Sequence, residues 1–181
     1  MSEVAHALAD ALAMAGDHAR RRGLPAFEEA QPLVIAEIGA DGREHLLTPR
    51  AAAAWRRMQA AARDDGVSLF VASAFRSIAR QTEIIRAKLD AGELLDDVLA
   101  VCAPPGYSEH HSGCAVDITE GSAPELEEIF AETAAYRWLC ARAGEFGFTL
   151  SYPRDNRWGF RYEPWHWCFR SGIAASARRE P

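Results

Sequence analysis

The polar residues that look out of place in this chain fall in three short segments. One is Ser108-Glu109-His110-His111-Ser112-Gly113-Cys114-Ala115-Val116-Asp117, another is Glu163-Pro164-Trp165-His166, and the third is Arg76, at the end of an otherwise apolar run. Histidine and carboxylate are the donors of a catalytic zinc, which takes three protein ligands and keeps a fourth position for water. His110, Asp117 and His166 supply two neutral imidazoles and one carboxylate. A bound ion would then keep a formal charge of about +1, enough to acidify its water and polarise a carbonyl. Spacing alone leaves His111 open as the alternative to His110. Activated water needs a base, and Glu163 precedes His166 across a proline. In a regular strand the two would face opposite sides, so a bend at the proline is required. Arg76 offers fixed guanidinium donors for the anion that develops on a tetrahedral intermediate.

Taken singly, each residue has a structural explanation. Asp117 can cap a turn, Glu163 can sit in a solvated salt bridge, and Arg76 can pair with any of 26 acids. Taken together they are all used by one centre, which is what favours the chemical reading.

The elements that must position these segments are legible in part. Residues Ser2 to Arg22 read as an amphipathic helix stopped by Gly23 and Pro25, with Val4, Leu8, Leu12 and Ala15 at helical spacing. Leu33 to Ile38 reads as a strand, followed by the hairpin signal Asp41-Gly42. Thr48-Pro49 predicts a hydroxyl-capped helix to about Arg63 that buries Trp55, Met58 and Ala62 and ends at Gly66. A strand from Ser68 to Phe75 leads to Arg76, and Ser77 caps a helix running to about Gly92. Ala103-Pro104-Pro105-Gly106 is a rigid loop before the histidine segment. Cys114 to Thr119 reads as a short strand with Ala115, Asp117 and Thr119 on one face and Cys114 turned away. A helix is expected from about Pro124 to Ala143, then strands near Phe148 to Tyr152 and over Trp165 to Phe169. Trp158, in the polar loop from Pro153 to Gly159, is expected to line a cleft.

Composition bounds the rest. With 181 residues, 49% hydrophobic and 25% charged, the chain can bury a core as one domain and is not disordered as a whole. No apolar run approaches the roughly 18 residues of a membrane helix. A net charge of −6 argues against wrapping nucleic acid. Cys102, Cys114, Cys140 and Cys168 match no paired zinc spacing; they could form two disulfides in any of three connectivities, and free buried thiols are the expectation. The start lacks a basic region and Asp10 interrupts the apolar stretch after it, so no secretory leader is expected in this chain. That points to the cytoplasm as it stands, or to the cell envelope if a leader was trimmed.

Ser-x-His-x-x-Gly-x-Ala-x-Asp over Ser108 to Asp117, followed by Glu163-Pro164-Trp165-His166, resembles the signature of the D-alanyl-D-alanine carboxypeptidases of the vancomycin-resistance (VanY-like) type. Ser73-Ala74-Phe75-Arg76-Ser77 with Gln81 is similar to the family's Ser-Gly-Tyr-Arg-Ser…Gln segment, and Phe146-Gly147-Phe148 and Ser151-Tyr152-Pro153 also match. The resemblance spans about Leu46 to Phe169. It implies an α+β fold of the hedgehog/D,D-peptidase kind, a small antiparallel sheet bearing a zinc site with helices packed against it. It implies Zn2+ on His110, Asp117 and His166, with His110 chosen over His111, which becomes a neighbour lining the cleft. Glu163 becomes the general base and Arg76 the oxyanion donor, while Ser108 and Gln81 lie near the substrate's terminal carboxylate.

The expected function is removal of the C-terminal D-alanine from peptidoglycan stem peptides or muropeptides by a metal-activated water. L,D-carboxypeptidase, D,D-dipeptidase and L-alanyl-D-glutamate endopeptidase activities are the alternatives within the fold. A zinc-stabilised binding module without turnover is the alternative of another class, and Glu163 argues against it because a structural site needs no base. Residues 1–181 are expected to form one monomeric zinc peptidase domain, with 1–32 a helical extension and about 33–172 the catalytic core. Ala74 and Phe75 stand where relatives carry Gly-Tyr, and Cys168 where they often carry arginine or tyrosine. These changes bear on substrate choice rather than on zinc binding.

Overall fold

A computed structural model describes residues 3–121 and 126–170. Five helices and six strands follow in order: α1 (Glu3–Arg21), β1 (Val34–Ile38), β2 (Glu44–Leu47), α2 (Pro49–Asp64), β3 (Phe70–Ser73), α3 (Ile78–Asp90), α4 (Leu95–Val101), β4 (Ala115–Thr119), α5 (Ala134–Arg142), β5 (Phe148–Leu150) and β6 (His166–Phe169). Strands β1 and β2 form an antiparallel hairpin, and the other four form an antiparallel sheet in the order β3-β4-β6-β5. This is the α+β architecture expected.

One face of the sheet builds the core. Val71, Val116, Ile118, Trp167 and Phe148 pack there with Trp55, Met58 and Ala62 of α2 and Leu139 of α5. Side chains alternate along a strand, so Asp117 and His166 face the other way, and a register irregularity between Val71 and Ser73 breaks the alternation in β3. The register lines them up: Ser73 pairs with Asp117, and Asp117 with His166. Three strands thus set a serine, an aspartate and a histidine in one row. Every residue of β4 is buried, so both of its faces are covered.

Gly113 gives the spacing between His110 and Asp117 a physical reason. It ends the 3-10 turn Glu109–Ser112 with φ +61°, and a Cβ there would lie 2.9 Å from Leu33 Cδ2 and 3.2 Å from Thr48 Cγ2. Both the backbone conformation and the close packing require glycine. Its carbonyl accepts the Thr48 N–H at 2.8 Å, joining the turn to the start of α2.

Several expectations need correction. Thr48 stands at the start of α2 but its hydroxyl does not cap it, pointing instead to Cys114 Sγ at 3.7 Å. Ser77 does cap α3, accepting the Arg80 N–H at 3.0 Å. Helix α4 had no signal beyond two acids in its first turn. The stretch read as one helix to Ala143 is divided by Thr133, whose extended backbone and hydroxyl, accepting from Tyr136 N–H at 3.1 Å, start α5 afresh. Its proposed beginning at Pro124 lies outside the described residues, as does Ser2. Among the described residues, no helix is long and apolar enough to cross a membrane.

Helix α1 packs against α4, and Arg22 at its end reaches across to the loop before β6. Its guanidinium donates to the carbonyls of Leu99, at 2.9 Å, and Trp158, and lies 4.2 Å over the Phe160 ring. Phe160 and Tyr152 pack with Ala19 and Leu24. Trp158 joins this small cluster, with the Arg157 guanidinium 3.9 Å over its ring, and lines a cleft of about 380 Å³ with His18, Arg22 and Asp96, as expected of a loop aromatic.

Candidate active site

A cleft of about 560 Å³ opens over the Asp117 row, within the size range of small-ligand sites. Arg76, Ser108, His110, Asp117, Glu163 and His166 all line it. The proline bend does what the sequence required: His166 N–H donates to the Glu163 carbonyl at 3.1 Å, closing a turn that brings both side chains to one place. Glu163 Oε2 lies 3.9 Å from His166 Nδ1.

His110, Asp117 and His166 each offer a donor atom, all within 4.8 Å of one another, and all three residues are buried. His110 Nδ1 lies 2.6 Å from the Ala74 carbonyl, so that nitrogen carries the hydrogen and donates. Burial holds the imidazole below its ordinary pKa, against the pull of Asp117. The neutral ring therefore aims its Nε2 lone pair at Asp117 Oδ2, 3.2 Å away. Two lone pairs facing each other in a buried site require a positive charge between them. On the other side, His166 Nδ1 lies 2.9 Å from Asp117 Oδ1. Donors on a tetrahedral zinc with bonds of about 2.0–2.1 Å lie about 3.3 Å apart. The donor set, its geometry and its need for a cation fit a zinc ion.

The electrostatics follow from burial opposed by close partners. Burial would raise the Asp117 carboxyl, but the two imidazoles against it outweigh that and hold it well below the usual range. Burial disfavours charge on His166, yet its bonds to Asp117 and Glu109 prevail and raise its pKa. At Glu163 burial wins: His166 and Arg76 pull its carboxyl down, but burial, with Asp117 and Glu109 nearby, pushes it up to about 7.

Arg76 is held from two sides. Nη1 donates to Gln81 Oε1 at 2.8 Å and Nη2 to Ser73 Oγ at 3.1 Å, leaving Nη2 3.8 Å from Asp117 Oδ2. Gln81 is only 1% exposed, and its amide nitrogen donates to the Ala103 carbonyl at 2.7 Å and to Cys102 Sγ at 3.0 Å. With both amide hydrogens committed, Gln81 orients Arg76. The Ser108 hydroxyl accepts the His110 N–H at 3.4 Å, which leaves its own hydrogen to donate into the cleft.

His111 is fully buried and does not line the cleft. Its Nδ1–H donates to the Arg76 carbonyl at 2.6 Å and its Nε2 accepts from Gly106 N–H at 3.1 Å, so it pins the Arg76 backbone to the proline loop. Glu109 received no role from the sequence, although it sits inside the histidine segment. It is buried beside His166, with Ser151 and Arg170 on it.

A family model described as D-alanyl-D-alanine carboxypeptidase, VanY, matches residues 44–172. The chain belongs to the VanY family. It is 33% identical over 154 residues to YodJ of Bacillus subtilis, which is named a carboxypeptidase, covering 81% of this chain and 56% of that protein. The chain thus spans little more than half of that relative's length. Among solved structures, the LdcB LD-carboxypeptidase superposes with a TM-score of 0.71 at 32% identity, covering 80% of this chain and 71% of that one. A mutant of the vancomycin-resistance D,D-pentapeptidase VanY in complex with Zn(II) gives 0.58 at 28% identity, over 79% of this chain and 85% of that one. The family match covers the four-stranded sheet and the segments that carry the cluster, and the hedgehog/D,D-peptidase fold of these solved structures is also the fold of this chain.

Proposed function

We propose that this VanY-family chain is a zinc-dependent carboxypeptidase that removes the terminal D-alanine from peptidoglycan stem peptides. One observation carries the reading: a base, a guanidinium and a cation-demanding triad of His110, Asp117 and His166 share one cleft. Membership of a family described by this activity, and similarity to a relative that binds zinc, support it. Bound there, zinc supplies a Lewis acid that polarises the scissile carbonyl and lowers the pKa of water.

The chain's own groups do the rest. Glu163, with a carboxyl at about 7, is poised to take a proton from the attacking water and deliver it to the departing amine. Arg76 presents preorganised donors to the oxygen on which charge develops. Ser108 donates to the substrate's terminal carboxylate from the wall of the cleft.

A second reading, L,D-carboxypeptidase, is favoured by the similarity to LdcB. Product analysis by mass spectrometry separates them. The protein is incubated with pentapeptide and tetrapeptide muropeptides, with and without a chelator whose effect zinc reverses. Chelator-sensitive loss of one D-alanine from the pentapeptide is expected. Preference for the tetrapeptide supports L,D activity instead, and no cleavage of either substrate by zinc-loaded protein overturns both.

A further inference from the structure

His166 has a second nitrogen, and what touches it has a consequence for the metal. Its Nε2 lies 3.1 Å from Glu109 Oε2, on the side of the ring away from Asp117. The same Glu109 oxygen accepts the Ser151 hydroxyl at 2.5 Å, and Arg170 donates to Oε1. Glu109 is 5% exposed and does not line the cleft, so it cannot reach a substrate there. A buried carboxylate is costly unless its oxygens are satisfied by charged or hydrogen-bonding partners, and here each oxygen is.

An imidazole whose Nε2–H points at an acceptor-only carboxylate must present Nδ1 without a hydrogen if it is neutral. We infer that Glu109 is a positioning residue that fixes His166 as the Nδ1 ligand of the metal, with Ser151 and Arg170 holding the Glu109 carboxylate in place. The inference rests on the zinc site proposed above. His110 presents the opposite nitrogen, Nε2, because a main-chain carbonyl takes its Nδ1–H. The two histidines therefore need different partners, and only His166 depends on a side chain for its tautomer. A carboxylate partner also makes the imidazole a stronger donor to the metal, and loss of such a partner costs about 10–100-fold in metal affinity.

The test uses the full chain and zinc alone. Chelator competition gives the zinc affinity of the wild type, Glu109→Gln and Glu109→Ala, and circular dichroism checks that each variant is folded. Both variants are expected to bind zinc about 10–100-fold more weakly. Long-range 1H–15N spectra of the zinc-loaded wild type are expected to show the His166 proton on Nε2, slow to exchange, and none on Nδ1. This second measurement needs no variant to fold. A proton on Nδ1, or variants that bind zinc as the wild type does, overturns the role of Glu109 while leaving the metallopeptidase reading intact. A wild type that binds no zinc overturns both.

Discussion

The two imidazoles of the triad are held by different kinds of group. On the side of strand β3, His110 is fixed by the backbone: its Nδ1–H bonds the Ala74 carbonyl, and the neighbouring Arg76 N–H donates to the His110 carbonyl at 3.2 Å. On the side of strand β6, His166 is fixed by side chains, Asp117 on one nitrogen and Glu109 on the other. A carbonyl in a folded segment cannot be removed by substitution, whereas a carboxylate and its two supports can. The β3 side is therefore the rigid reference of the site, and the β6 side is where affinity and basicity are adjustable.

The largest break in this contrast is removal of a ligand. His166→Ala is expected to lose its zinc on dialysis and to lose turnover with it, as read by metal analysis and muropeptide cleavage. Full activity with about one zinc retained would refute its place among the three ligands. Next, Glu163→Gln is expected to lower kcat by about 10²–10⁴-fold with zinc still bound, because it removes the proton acceptor alone. Glu163 must be ionised to accept a proton, and its carboxyl lies at about 7 before any cation lowers it further. The kcat/KM of zinc-saturated enzyme should therefore fall as pH drops below 7 or somewhat lower, and Glu163→Gln should lack that limb. A rate that rises on acidification would assign Glu163 the opposite role.

A smaller loss is expected on the β3 side. Arg76→Ala should reduce kcat by about 10²–10³-fold while zinc stays bound, the usual effect of one oxyanion donor. A change confined to KM would make Arg76 a substrate-binding residue instead. The smallest effect sharpens the comparison most. Ser151→Ala removes one support of Glu109 and touches neither nitrogen of His166, so zinc affinity should fall by less than about 10-fold. Chelator competition measures it, and an effect as large as that of Glu109→Ala would show that the hydroxyl, not the carboxylate, holds the ring.

Much of this arrangement was written locally. Asp117, His166, the base across a proline and the arginine at a strand end were legible in residue types and spacing, because strand alternation and a proline bend are local rules, whereas His110 was chosen over His111 only by the resemblance to the family. Ser77 and α3 were legible for the same reason, a hydroxyl followed by a periodic run. Helix α4 and the restart at Thr133 were not, since seven residues carry little periodicity and a threonine inside a helical pattern is ambiguous. Trp158 lines a cleft as its polar loop suggested, but its partners there, Arg157 and the α1 cluster, come together only on folding.

The sequence by itself determined which atoms can bind a metal and move a proton. Tertiary structure alone decided which nitrogen of each histidine faces that metal, that Gln81 orients Arg76, and that His111 lies behind the cleft. The partners of Glu109 are separated from it by 42, 57 and 61 residues. Chemistry of a donor is carried by its residue type, but a tautomer is set by whatever lies within hydrogen-bond reach, and only the packed sheet brings those distant segments there.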